Sequence, residues 1–211
     1  MQTYSLSRAL LGAALAMSAA ATQAADFNFT GNLFYNTDRV NIAFDIASAA
    51  DVKLWTDSWN GGVNFDPIAA LWVKTGSDYT LVREVDDDSS IAPGQGSFDT
   101  GMAFSGLAAG HYLYTVGASF VEPFAKGTLL SQGYTQDGTT PVPITQWNQP
   151  SYDINANDQK GTFYGIRLSG VDTAVAVSAV PEPESFAMLL AGLCVVAGAK
   201  RRLTKAGTRS A

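Results

Sequence analysis

The chain has 211 residues, 13 bases against 19 acids, and a formal net charge of −6. One cysteine and one histidine exclude an internal disulfide and any zinc site built from several His or Cys ligands. The acidic surplus repels phosphate backbones, so nucleic acid is not an expected partner.

Residues 1–24 read as a secretory signal peptide. Arg8 supplies the positive start, Ala9 to Ala21 is almost wholly small and apolar, and Thr22-Gln23-Ala24 offers small residues for cleavage after Ala24. A buried N-terminal helix is the alternative, but apolar residues run all round that segment and leave no polar face. From Ala25 to Ala179 the chain holds 17 acids and 7 bases and no cysteine. Such a body has to be held by packing, with hard cations on carboxylates as a further means.

Period-two alternation dominates the body. Val40, Ile42, Phe44 and Ile46 alternate with polar Asn41 and Asp45, which predicts a strand with one buried face. Val52, Leu54 and Thr56 continue the pattern. Ile68 to Val73 is a dense apolar run, as in a strand buried on both sides. Tyr79 to Val85 alternates again. Tyr112, Tyr114 and Val116 predict a half-buried strand, and Tyr164, Ile166 and Leu168 another. Asn60-Gly61-Gly62, Thr75-Gly76-Ser77-Asp78, Pro93-Gly94-Gln95-Gly96 and Ala109-Gly110 supply turns between them. Eight or nine short strands predict an all-β fold: a single antiparallel β-sandwich, jelly-roll-like, over 25–179, with a closed barrel as the alternative. The proline-rich region 118–157 reads as irregular, with Thr128 to Tyr134 as a strand inside it and Gly138 to Asn157 as a loop over one end of the sandwich.

Candidate chemistry is sparse. His111 sits at a strand start with no nucleophile elbow in the chain, so it reads as an ordinary strand-edge histidine. The acids Asp57, Asp66, Asp86, Asp87, Asp88 and Asp99 fall in turn-like loops. They form either a solvated acidic surface or a Ca²⁺ site, which needs six to eight oxygen ligands. No EF-hand spacing is present; Asn155, Asn157 and Asp158 form a second, smaller group. Trp59 and Trp147 are candidate glycan contacts, with packing as the alternative, whereas Trp72 belongs to the core. Abundant acids leave a polysaccharide hydrolase as a third reading, which requires two carboxyls across a cleft.

The C-terminal stretch has three parts: Val180-Pro181-Glu182-Pro183, an apolar run from Phe186 to Ala199, and the basic cluster Lys200-Arg201-Arg202. As a helix the run measures about 21 Å, short of the roughly 30 Å hydrocarbon core. The basic cluster would act as a membrane stop and stay cytoplasmic, as would the polar tail 203–211. The prolines favour extended backbone ahead of the run. These three parts in this order resemble the PEP-CTERM sorting signal of Gram-negative bacteria, here over 180–202. The resemblance implies that an exosortase, a membrane transpeptidase, recognises Pro181, Glu182 and Pro183 as substrate residues and cleaves near them. It also implies transient anchoring in the inner membrane by a short helix over 186–199, then placement at the cell surface or in exopolysaccharide. Leu203 to Ala211 extends further than such signals usually do.

The body carries Phe29-Thr30-Gly31-Asn32-Leu33, Leu54-Trp55-Thr56-Asp57-Ser58-Trp59, Gly61 to Pro67, Asp86-Asp87-Asp88 and Leu107 to Tyr112 in order. It resembles an uncharacterised family of PEP-CTERM proteins whose pattern is similar to bacterial pre-peptidase C-terminal β-sandwich domains. That resemblance implies an extracellular accessory or structural role and assigns no catalytic residue. The leading expectation is an exported, exosortase-processed structural or adhesive protein that is not an enzyme and has no cofactor. A calcium- or carbohydrate-binding module is the alternative.

Overall fold

The computed structural model describes residues 25–120, 123–150 and 159–177. The predicted signal helix, the group Asn155, Asn157 and Asp158, the sorting stretch with Pro181, Glu182 and Pro183, the membrane helix 186–199 and the stop Lys200, Arg201 and Arg202 lie outside them. Nine strands follow in order: β1 (Ala25–Asn32), β2 (Arg39–Ile46), β3 (Ala50–Thr56), β4 (Pro67–Thr75), β5 (Asp78–Val85), β6 (Gly101–Leu107), β7 (Gly110–Ala118), β8 (Phe163–Val171) and β9 (Thr173–Val177).

They form two antiparallel sheets, β1-β8-β3-β6 and β5-β4-β7-β2-β9. β1 pairs with β8, β2 with β7, β3 with β6 and β4 with β5. This is a long eight-stranded hairpin wrapped on itself, the jelly-roll winding, with β9 added beside β2. Both sheets keep open edges, so the sandwich holds and the barrel alternative falls.

The alternation read from sequence explains the main core. Val40, Ile42, Phe44 and Ile46 of β2 face Val52 and Leu54 of β3 and Ile166 and Leu168 of β8, with Leu71 and Tyr114 between. Phe44 stacks on Tyr112 at 5.2 Å between ring centroids. Each such aliphatic or aromatic side chain contributes roughly 1.5–3 kcal/mol on burial.

A second, smaller core lies on the outer face of the five-stranded sheet. β4 is buried on both faces, as its apolar density predicts. Ala69 and Leu71 point to the main core, and Ile68, Ala70 and Trp72 point outward to meet Leu113, Phe124 and Tyr134. The long connection 119–162 supplies Phe124 and Tyr134 and covers this face. For that reason β7 is buried on both sides and not half-buried as expected. The strand expected over Thr128 to Tyr134 is also absent. Leu130–Gln132 form a 3-10 turn instead. The segment closes on itself, with Lys126 donating to the Gly133 carbonyl and Thr135 to the Phe124 carbonyl. Glu84 holds its start by accepting from the Phe124 and Ala125 amides at 3.1 and 2.7 Å.

The winding sorts the connections. Residues 47–49, 76–77 and 108–109 make tight turns at one end of the sandwich. The connections 33–38, 57–66, 86–100 and 119–162 all gather at the other, where they hydrogen-bond to one another. Ala25 pairs with Val171 at the tight-turn end, whereas β9 runs toward the loop end and finishes with Val177 opposite Asn41.

Trp72 joins sheet to covering loop: its ring meets Tyr134 edge-on at 5.9 Å and its Nε1 donates to Thr115 Oγ1 at 3.0 Å. Trp72→Ala is expected to cost about 3–5 kcal/mol in a chemical denaturation curve. It should also expose 124–134 to limited proteolysis before the strands.

Candidate functional site

All six acids singled out in the sequence lie on the loop end, in 57–66 and 86–100. The structure divides them. Carboxylate oxygens of Asp66, Asp86 and Asp87 lie within 4.8 Å of one another. Asp66 is buried where its loop enters β4, and Asp86 and Asp87 are exposed just after β5. Ser119, at the end of β7, holds the group together. Its Oγ donates to Asp86 Oδ1 at 2.6 Å and its amide donates to the Asp66 carbonyl at 2.7 Å. Gln149, fully buried, accepts from the Asp66 amide at 2.9 Å and donates to the Asp66 and Ser119 carbonyls. Desolvation raises the Asp86 carboxyl above the usual carboxylate range, against the opposing hydrogen bond from Ser119.

The other three acids serve the fold. Asp99 is 1 % exposed. Its Oδ1 accepts from Thr56 Oγ1 at 2.7 Å, the Ser58 amide at 2.8 Å and the Trp59 amide at 3.1 Å, and its Oδ2 accepts from the Gly96 amide at 2.7 Å. One carboxylate thus ties loop 57–66 to loop 86–100, with both oxygens engaged by protein donors. Asp57 Oδ2 accepts from Arg167 Nε and Nη2 at 3.0 and 2.8 Å. Asp88 caps a turn by accepting from the Ser90 hydroxyl and amide, and the hydroxyl contact first of all lowers its pKa.

Neither candidate sugar contact is an open platform. Trp59 is buried; its ring lies over Gly96, where a Cβ would come within 2.3 Å of it, and 5.3 Å from the Phe98 ring. The chain leaves this position through Asn60, Gly61 and Gly62, three successive residues with φ of 47°, 66° and 90°, a conformation that favours glycine. Trp147 is half-buried against the main core and stacks on Phe120 at 5.4 Å. A groove of about 350 Å³ opens between these loops, beside Asp57, Asn60, Asn64, Gln95 and Phe163. Among the described residues lining it, Asp57 is the one acid. His111 is exposed and pairs through Nδ1 with Asp45 Oδ1 across β7 and β2, which places it on the outer sheet face far along the strand from the loop end.

Sequence reading missed Ser119, Gln149 and Arg167. Each lies far along the chain from the acid it serves, and no local spacing marks such a partner.

Among the described residues no helix is long and apolar enough to cross a membrane. The tail beyond them gives the clearest functional signal: residues 179–202 match the family model described as the PEP-CTERM protein-sorting motif. The chain carries a PEP-CTERM sorting motif. The match covers the tail alone, and a search of curated proteins finds no match for the chain. The motif marks the β-sandwich as cargo for exosortase processing and for export by membrane-associated sorting.

The raised Asp86 pKa gives a signed prediction. The folded state disfavours the ionised form, so this group's contribution to stability falls as pH rises above its unfolded value of about 3.9. Asp86→Asn, which retains an acceptor for Ser119, should therefore raise the melting temperature at neutral pH in EDTA. The gain should vanish below about pH 4.

Proposed function

We propose that this chain is an exported structural or adhesive protein of the cell surface or exopolysaccharide, without catalytic activity, delivered by exosortase processing of its C-terminal tail. The single observation that supports it is the PEP-CTERM motif over 179–202, in which Pro181, Glu182 and Pro183 precede the apolar run. A 14-residue run spans roughly 21 Å as a helix, too short for lasting retention and long enough to present a cleavage site at the membrane surface. Mass spectrometry of the C-terminal peptide, in cells with and without exosortase, tests this reading. The mature chain should end near Pro181-Glu182-Pro183 only when the enzyme is present. Recovery of intact Ala211 from cells containing it overturns the proposal.

The convergence of Asp66, Asp86 and Asp87 favours a second reading, a Ca²⁺ site on the loop end. Three carboxylates within 4.8 Å supply part of the oxygen set that Ca²⁺ takes. Bound cation would offset both their mutual repulsion and the desolvation of Asp86. Thermal melts in Ca²⁺ and in EDTA decide it. Ca²⁺ at a hundred times its Kd adds about 2.7 kcal/mol and a clear rise in Tm. Identical melts end this reading.

A further inference from the structure

Beyond the reading above, and resting on its claim that the tail enters a membrane, we infer that the loop end of the sandwich docks on the lipid surface while the tail is inserted. The large hydrophobic residues of this end that face solvent are Phe34 (66 % exposed), Val63 (61 %), Tyr35 (45 %) and Phe163 (39 %). They come from three backbone segments lying side by side: the Leu33 amide donates to the Thr162 carbonyl, Asn32 pairs with Phe163, and the Gly161 amide donates to the Val63 carbonyl. A contiguous exposed apolar patch, unlike hydrophobic residues scattered singly, marks a contact site.

The patch is held out by design of the loops. Asp38 Oδ2 accepts from the amides of both Phe34 and Tyr35 at 2.9 Å. The Phe34 carbonyl accepts from the Ile144 amide, and the Asn36 amide and side chain are both bound to Val142. These bonds fix aromatic rings in water instead of letting them fold inward, at a cost in solvation that a partner would remove.

The path of the chain names the partner. β9 runs toward this same end and stops at Val177. From Val177 to Phe186, the first residue of the apolar run, extended chain spans at most about 30 Å. Inserting the run therefore tethers Val177, at the same end of the sandwich as the patch, within that distance of the bilayer and makes a weak contact effectively intramolecular. The acids nearest the patch do not oppose it: Asp38 is engaged by amides and Asp57 by Arg167. Asp66, Asp86 and Asp87 flank β4 and β5 of the five-stranded sheet, whereas Phe163 opens β8 in the other sheet.

The test uses the full chain in phosphatidylethanolamine–phosphatidylglycerol vesicles, with an environment-sensitive fluorophore on one cysteine at a time. Phe34→Cys, Val63→Cys and, at the opposite end, Ser48→Cys are each labelled in a Cys194→Ser background, and the native Cys194 is labelled in the unaltered chain to report tail insertion. Emission from positions 34 and 63 should shift to shorter wavelength and be quenched by nitroxide-bearing lipid, whereas position 48 stays water-like. If Cys194 reports the bilayer but 34 and 63 behave like 48, docking is overturned and the tail reading survives. If Cys194 itself stays in water, both fall. A shift at 34 and 63 that follows protein concentration and ignores the lipid quencher assigns the patch to a second copy and overturns the inference. The two positions are more than half exposed and independent of each other, so one folded variant suffices.

Discussion

Two sheets have to bury their facing apolar sides against each other, and much of this chain follows from how a single backbone arranges that. Ile42 and Phe44 meet Leu54, Ile166 and Leu168 because the eight-stranded hairpin wraps, bringing β2 over β3 and β8. The same wrapping forces connections onto two ends. At one end one to three residues suffice, both for the β4-β5 hairpin and for the crossings from β2 to β3, β6 to β7 and β8 to β9; the four crossings at the other end run through longer connections. The molecule is therefore polar, with tight turns at one end and loops at the other.

The loop end then needs internal order, since long backbone excursions expose donors that water or side chains must satisfy. Asp99 performs this for two loops at once, with four donors on one buried carboxylate. Glu84 does it for the start of the covering segment and Gln149 for the approach to β4. Acids in this body therefore have distinct tasks. At Asp88 the Ser90 hydroxyl and amide favour the ionised form, whereas at Glu84 and Asp86 desolvation outweighs the donors and raises the pKa.

Much of the fold was legible because its signal is local. Alternation marked β2, β3 and β8, and apolar density marked β4 as a doubly buried strand. Three strands carried weaker marks. β6 is interrupted by Gly101, Ala103 and Gly106, β9 reads Thr-Ala-Val-Ala-Val with no polar beat, and β1 is short of aliphatic residues. The covering segment was misread between Thr128 and Tyr134 because its apolar residues face a sheet across the chain, which no window of a few residues reveals. The same limit applied to the acids. Composition and turn context found all six, and only the fold could separate Asp66, Asp86 and Asp87 from Asp57 and Asp99, whose partners include residues far along the chain, and from Asp88, which caps its own turn. The sorting motif was readable outright, since it is recognised as extended sequence and needs no folded neighbour.

The placement of β9 has a mechanical consequence. It is the last strand among the described residues and lies at a sheet edge, zipped to Asn41–Asp45 of β2, with its C-terminal end at the loop end of the sandwich. Tension applied through the tail acts parallel to that ladder, so its hydrogen bonds share the load and must yield together, whereas a strand pulled sideways would unzip one bond at a time. A body hung by this terminus resists force in shear, the stronger of the two loading geometries available to a single edge strand.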